Sequence, residues 1–305
     1  MPEASAPAAT DSPAVELTLL IPVHNEEGGV EQVVRDCHAL LTTGVANLSF
    51  EIIAIDDGSR DGSPAILERL AVEGLLRVHT HAENRGYGAA LKTGIRHARG
   101  AWIGMIDADR TYPPEALPLL IAEVRRGRAM VVAARIGQSV HIPLVRRPAK
   151  WMLRMLAEYL TQARIPDLNS GLRLMDARHV REFMRLLPNG FSFTTTITLA
   201  MLTRGYDVVY LPINYHKRVG TSGIRPIRDT LKFLQLIIRT VLCFNPLRIF
   251  VPVAVLLGLA AVLVAVVSKV MFGELADVTS VVLLVTAVQM LGIGMLADLI
   301  DRRLD

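Results

Sequence analysis

Cysteine is close to absent. Cys37 and Cys243 are the only two, they stand far apart, and neither belongs to a metal-spaced pair, which rules out a cysteine-built metal centre. Both are expected to fill structure in helices, and a reducing compartment is compatible with them. Runs of Lys or Arg interleaved with aromatics are missing too, so an RNA- or DNA-binding surface is not expected. The net charge of +4 is a mild bias that better suits phosphates or an anionic membrane face. The first residues, MPEASAPAATDSPA, have no positive n-region and do not read as a signal peptide. They read as a disordered leader over 1–14. There are no internal repeats.

Apolar residues, in contrast, are plentiful. They make up 51% of the 305 residues, with a mean hydropathy of +0.37, and the excess is concentrated at the C-terminus. Two spans there, about 249–272 and 278–300, each reach the roughly 20 residues that cross a bilayer. The short connection Gly273–Asp277 makes them a hairpin, and the domain 249–303 is read as membrane-spanning. Arg239 and Arg248 precede the hairpin, Arg302 and Arg303 follow it, and its loop has no Lys or Arg. The positive-inside rule then puts both termini in the cytoplasm, at a plasma (inner) membrane. Two further stretches read as basic amphipathic helices lying at the interface, 141–165 and a juxtamembrane segment over 225–248.

From Val15 onward strands and helices alternate. Strands are predicted at Val15–Pro22, Phe50–Ile55, Leu75–Thr80, Trp102–Ile106 and Ala129–Ala134, and later at Leu172–Met175 and Val208–Leu211. Helices are predicted at Val30–Thr42, Pro64–Val72, from the Asn84–Gly88 loop to Ala98, from Pro113 to Arg126, at Ala177–Leu187 and at Phe191–Thr203. This pattern predicts an α/β domain over 15–224, a mostly parallel sheet flanked by helices. Gly86-Tyr87-Gly88 reads as a tight turn into a helix, because Leu91 stands where a dinucleotide fingerprint needs its third glycine. The run Trp102–Ile106 ends in Asp107-Ala108-Asp109. Residues i and i+2 of an extended segment point the same way, so both carboxylates can face one cation. Paired hard oxygens suit Mg²⁺ or Mn²⁺ bridging to phosphates.

Four stretches taken together, Pro22–Glu26, Asp56–Ser59, Asn84–Gly88 and Asp107–Asp109, resemble the family 2 inverting glycosyltransferases of GT-A (Rossmann-like) fold. Asp167–Met175 and His216–Ser222 are similar to the polyprenyl-phosphate branch of that family, the relatives of dolichol-phosphate mannose synthase and bacterial undecaprenyl-phosphate glucosyltransferases. The resemblance implies a nucleotide-sugar donor, of GDP-mannose or UDP-glucose type, and a polyprenyl phosphate acceptor. It implies that Pro22, His24, Glu26, Ile55 and Asp57 line the nucleotide pocket, with His24 where many relatives have Tyr. Asp107 and Asp109, with Ala108 between them and Thr111 just beyond, would bind the metal and diphosphate. Arg135 would contact the donor and Arg218 would clamp phosphate, making Asp107, Asp109 and Arg218 the catalytic set. Arg147, Lys150, Arg154 and Arg173 are candidates to steer the acceptor phosphate. A homo-oligomer is compatible, since some anchored relatives are tetramers. Two departures stand out. Ser222 is followed by Gly223 where relatives carry Lys, with Arg225 as a substitute, and Gly171 occupies a position where some relatives carry a carboxylate. Asp167 is then the remaining nearby base candidate.

A lipid phosphate is anionic at neutral pH and needs no strong base, so the missing carboxylate is tolerable. The competing readings are a processive polysaccharide synthase and a silent scaffold with a nucleotide-sugar-binding domain. The first lacks a QxxRW motif and has one hairpin where a translocation channel needs more. The second conflicts with the intact acidic pair.

Overall fold

The computed structural model describes residues 15–43, 48–136, 154–159, 161–190, 192–214, 242, 246–273 and 277–304. The leader, Arg147, Lys150, Arg218, Arg225, Cys243, the 216–225 loop and nearly all of the juxtamembrane helix lie outside them.

A seven-stranded sheet carries the N-terminal part. Its strands are β1 (Leu17–Val23), β2 (Phe50–Asp56), β3 (Arg77–Thr80), β4 (Trp102–Met105), β5 (Met130–Ala134), β6 (Arg173–Asp176) and β7 (Val208–Pro212). The spatial order is β3-β2-β1-β4-β6-β5-β7. All pairs are parallel except those of β6, which runs antiparallel to both β4 and β5. The mostly parallel sheet expected from the alternation is thus present, with one reversed strand.

The helices are α1 (Val30–Thr43), α2 (Ser63–Val72), α3 (Tyr87–His97), α4 (Leu117–Arg125), α5 (Ala177–Glu182), α6 (Phe193–Thr203), α7 (Leu247–Phe272) and α8 (Asp277–Leu304). Every residue of β1 is buried, so it must be covered on both faces. Leu17, Leu19 and Ile21 join the core built with Val30, Val33, Val34 and Cys37 of α1 and Leu117, Leu120 and Ile121 of α4. Leu20 and Ile55 point the other way, toward α3. They lie so near Gly94 that a Cβ there would stand 2.8 Å from both side chains. Cys37 is buried in this core, and burial pushes its thiol up to about 12, as expected of a structural cysteine.

Two helices differ from expectation. Before α4 the chain makes a 3₁₀ turn, Pro114–Ala116, and the α-helix begins beside Pro118, whose missing N–H is harmless only in a first turn. The helix begun at Ala177 ends at Glu182. From there Met184 donates to Arg181 and Leu186 to Phe183, the tighter i→i−3 pattern, ahead of Pro188.

The chain divides into two compact units, one of 1–143, 166–201 and 206–224, the other of 144–165, 202–205 and 225–305. In the second, α7 and α8 pack against each other. Ala254, Ala261 and Ala287 are buried there, and Gly294 lies so close to Phe250 that a Cβ would meet it at 2.6 Å. Spans Leu247–Met271 and Val278–Ile300 are long and apolar enough to cross a membrane, and only 6% and 11% of their apolar windows are buried. A hairpin inside a soluble core would show the reverse.

Candidate active site at the carboxyl edge of the sheet

β1, β2, β3, β4 and β5 share a direction, so their carboxyl ends open on one edge. The chain leaves β1 toward β2 on one side, while β4 lies on the other. This reversal of strand order is where open α/β sheets bind ligands.

On the β1–β2–β3 side is a cleft of about 570 Å³ lined by His24, Asn25, Asp56, Ser59, Arg60, His81 and Asn84, among others. Its rim is two loops bonded to each other. His24 Nδ1 donates to the Asp57 carbonyl at 2.9 Å, and its Nε2 accepts from Asn25 Nδ2 at 3.3 Å. Asn25, at φ +57°, takes the Arg60 amide on Oδ1 at 2.8 Å and donates its own amide to Ser59 Oγ at 3.0 Å. The Glu26 amide donates to Ser63 Oγ at 3.0 Å. These bonds tie the 24–26 loop to the 57–63 segment across the cleft's rim.

Asp57 is buried beneath it. It receives His81 Nδ1 at 2.7 Å and the Arg85 and Gly86 amides at 2.9 and 2.8 Å. Burial works to raise its pKa, but those amides and the imidazole outweigh it and hold the carboxyl below its ordinary value. Asp57 therefore braces β2 against the 84–88 turn rather than lining the cleft. Ile55 is fully buried beneath α3, and Pro22, paired with it in register, is buried as well. Neither residue is among those lining this cleft. His81, which is, went unnoticed in the sequence because a single histidine after a short strand carries no pattern.

Asp107 and Asp109 stand at the switch point, each half-buried. Tyr87 at the start of α3 donates its hydroxyl to Asp107 Oδ1 at 2.8 Å. Burial and the Asp107 charge push the phenol's pKa well above its usual value, so it remains a donor. β4 and β6 pair Met105 with Arg173, and continuing that register sets Asp107 opposite Gly171. A Cβ at Gly171 would stand 2.1 Å from Asp107 Oδ2. The Gly171 amide in turn donates to Tyr112 Oη at 2.7 Å. Asp109 Oδ1 accepts both the amide (3.1 Å) and the hydroxyl (2.6 Å) of Thr111. Thr111 is buried, and its hydroxyl and amide both bind Asp109. Gly29, just before α1, abuts the Ala108 carbonyl, where a Cβ would sit at 2.5 Å. The acidic segment is thus packed against the β1 loop.

The two carboxylates supply hard oxygens suited to a divalent cation. No group of three or more His, Cys, Asp or Glu able to hold a metal occurs among the described residues. Two protein carboxylates fit a cation that takes its other ligands from substrate phosphates and water.

Arg135, just beyond β5, forms a two-pronged pair with Asp167, Nε to Oδ2 at 2.6 Å and Nη2 to Oδ1 at 2.8 Å. Burial opposes ionisation of Asp167, but Arg135 outweighs it and its carboxyl lies below the ordinary value. That makes Asp167 a poor general base. Arg173 is wholly buried. It donates to the Ser170 carbonyl, the Thr194 carbonyl (3.1 Å) and Thr198 Oγ1 (2.9 Å), and is a core brace with no surface to offer an acceptor phosphate. Arg154 is exposed, 3.6 Å from Glu158, and belongs to the second compact unit.

The chain matches the model of glycosyl transferase family 2 over residues 18–182 and that of the GtrB C-terminal hairpin over 245–302. It is 30% identical to an undecaprenyl-phosphate 4-deoxy-4-formamido-L-arabinose transferase of Klebsiella pneumoniae, over 96% of this chain and 90% of that one. It is 29% identical to the bactoprenol glucosyl transferase of Shigella phage SfV, over 94% of each. Among solved structures, glucosyl-3-phosphoglycerate synthase of Mycobacterium tuberculosis, in complex with Mn²⁺, UDP-glucose and phosphoglyceric acid, aligns with a TM-score of 0.58 at 19% identity. That alignment covers 74% of this chain and 80% of the other, and at such identity it speaks to the fold.

Proposed function

The chain belongs to glycosyl transferase family 2 and ends in a GtrB-type hairpin, and on that premise we propose that it moves a hexose from a nucleotide sugar to a polyprenyl phosphate at a membrane surface. One observation carries the reading. An acidic pair at the switch point of the sheet occurs in the same chain as an apolar helical hairpin with outward-facing side chains. A polyprenyl phosphate keeps its phosphate at the bilayer interface, so its transferase must work there. The relatives named for undecaprenyl phosphate and bactoprenol support the same acceptor.

In the reaction, an acceptor phosphate oxygen attacks the anomeric carbon with inversion. The bond from that carbon to the diphosphate oxygen breaks, and nucleoside diphosphate leaves with the electron pair. Asp107 and Asp109 would hold a divalent cation, Mg²⁺ or Mn²⁺, whose chemistry is to neutralise charge on the departing diphosphate. The 24–26 and 56–60 loops hold the nucleoside in the cleft at the same edge of the sheet. Arg218 adds positive charge to the leaving group. No base is required of the chain, because the phosphate acceptor arrives ionised. This accords with a glycine at 171 and with Asp167 paired to Arg135.

Purified full-length protein, undecaprenyl phosphate, Mn²⁺ or Mg²⁺ and a panel of nucleotide sugars test this by product mass. A polyprenyl-phosphate hexose plus nucleoside diphosphate is expected with one donor. No lipid-linked product with any donor overturns the proposal. Asp109→Ala should lower turnover roughly 1,000-fold, on the scale of losing a main electrostatic group, while membrane insertion is unchanged.

A further inference from the structure

We infer that Tyr87 is a positioning residue for Asp107, and that Gly171 is the gap into which the positioned carboxylate fits. The inference rests on the reading of Asp107 and Asp109 as the cation-holding pair.

An aspartate at a strand end can turn about two side-chain bonds. Two contacts from distant parts of the chain remove that freedom. On one side the Tyr87 hydroxyl meets Oδ1 at 2.8 Å. On the other the carboxyl lies over the bare Cα of Gly171, and a Cβ there would fall 2.1 Å from Oδ2, 2.5 Å from Cγ and 2.7 Å from Oδ1. Any side chain at 171 would push the carboxylate out of its place.

Tyr87 is itself held. The Gly86 amide is bound by Asp57 Oδ2 at 2.8 Å, and the Ala89 amide donates to the Asn189 carbonyl at 3.0 Å. Gly88 lies so close to the Pro188 carbonyl that a Cβ would come within 2.2 Å. The start of α3 is therefore tied to Asp57 and to the 188–189 backbone, and these contacts set where the hydroxyl lies. The same Asp57 binds His81 in the cleft wall, so one brace sets both the cleft and the acidic pair. Outer partners of this kind, which orient a metal-binding group and tune its basicity, typically change affinity or activity 10- to 100-fold when removed.

The test is Mn²⁺ binding by the full-length protein in detergent, read from the electron paramagnetic resonance signal of free Mn²⁺, with UDP or GDP in separate arms. Tyr87→Phe removes only the hydroxyl and should raise the Mn²⁺ dissociation constant about 10-fold, with little change in thermal midpoint. The Mn²⁺ concentration giving half-maximal turnover should rise by the same factor, and excess Mn²⁺ should restore the rate. A merely structural tyrosine would move the midpoint and not the Mn²⁺ constant. Gly171→Ala displaces Asp107 from the other side with the hydroxyl intact. It should show the same loss, and it decides the matter if Tyr87→Phe does not fold. Wild-type Mn²⁺ affinity in the folded variants overturns the positioning role alone. No Mn²⁺ binding by the wild type overturns this inference together with the cation reading.

Discussion

Asp167 and Arg135 lie 32 residues apart and meet through two parallel hydrogen bonds, with the carboxylate mostly removed from water. Removing one member of such a pair leaves the other charge uncompensated. Asp167→Asn should therefore cost about 3 kcal/mol at neutral pH. The pH dependence follows from the depressed pKa of Asp167. A group whose folded pKa is lowered contributes stability above its unfolded value, about 3.9. That contribution is lost as pH falls through the lower folded value. Thermal unfolding should show a wild-type advantage over Asp167→Asn that is constant from pH 7 to about pH 5 and shrinks below about pH 4. A gap that persists unchanged into acid would mean the pair is not the source. Asp107 and Asp109 were legible as acidic groups at a strand end, and Asp167 as an acidic group in the loop before a short strand. That Asp167 is tied to Arg135, and that Arg173 of β6 is buried against α6, was not, because a charged residue in a motif looks alike in sequence whether it faces a ligand or a carbonyl.

Among the elements, α3 shows how glycine spacing sets a packing distance. Gly88 and Gly94 both sit on it where no Cβ fits, but against different neighbours. Gly88 faces the Pro188 carbonyl, a backbone atom that moves only with its loop; Gly94 faces the methyl ends of Ile55 and Leu20, which can turn aside. Gly88→Ala should then destabilise by about 2–3 kcal/mol and Gly94→Ala by about 1 kcal/mol or less, within the range of overpacked cores. Denaturation midpoints of the two variants check the order; equal losses would refute it. The strand and helix sequence was readable from apolar periodicity, and most boundaries differ by one or two residues. The misreadings fell where proline governs the local hydrogen bonds, before α4 and after α5.

At the scale of the molecule, the apolar excess of the composition resides largely in α7 and α8, whose side chains face outward. The flanking arginines, with none in the hairpin loop, set the expected orientation. Epitope tags at both termini should be cleaved by protease in inverted inner-membrane vesicles and protected in right-side-out ones. A tag placed in the loop between α7 and α8 should behave in the opposite way. Protection of the terminal tags in inverted vesicles would reverse the orientation and put a cytoplasmic donor out of reach. We read 15–224 as the catalytic domain and 249–303 as the anchor on the same basis.

The sequence by itself determined the order of elements, the outward-apolar hairpin and an acidic pair at the end of a buried strand. Each is a local matter of periodicity, length or spacing, and so survives in one dimension. Only the tertiary structure decided which side chains serve the ligand and which serve the fold. Tyr87 meets Asp107, Asp107 meets Gly171, Asp57 meets His81, and Arg173 meets Thr198, across gaps of 20 to 64 residues. Those meetings follow from strand order and from the antiparallel register of β6 against β4, and neither is written in the spacing of any single motif.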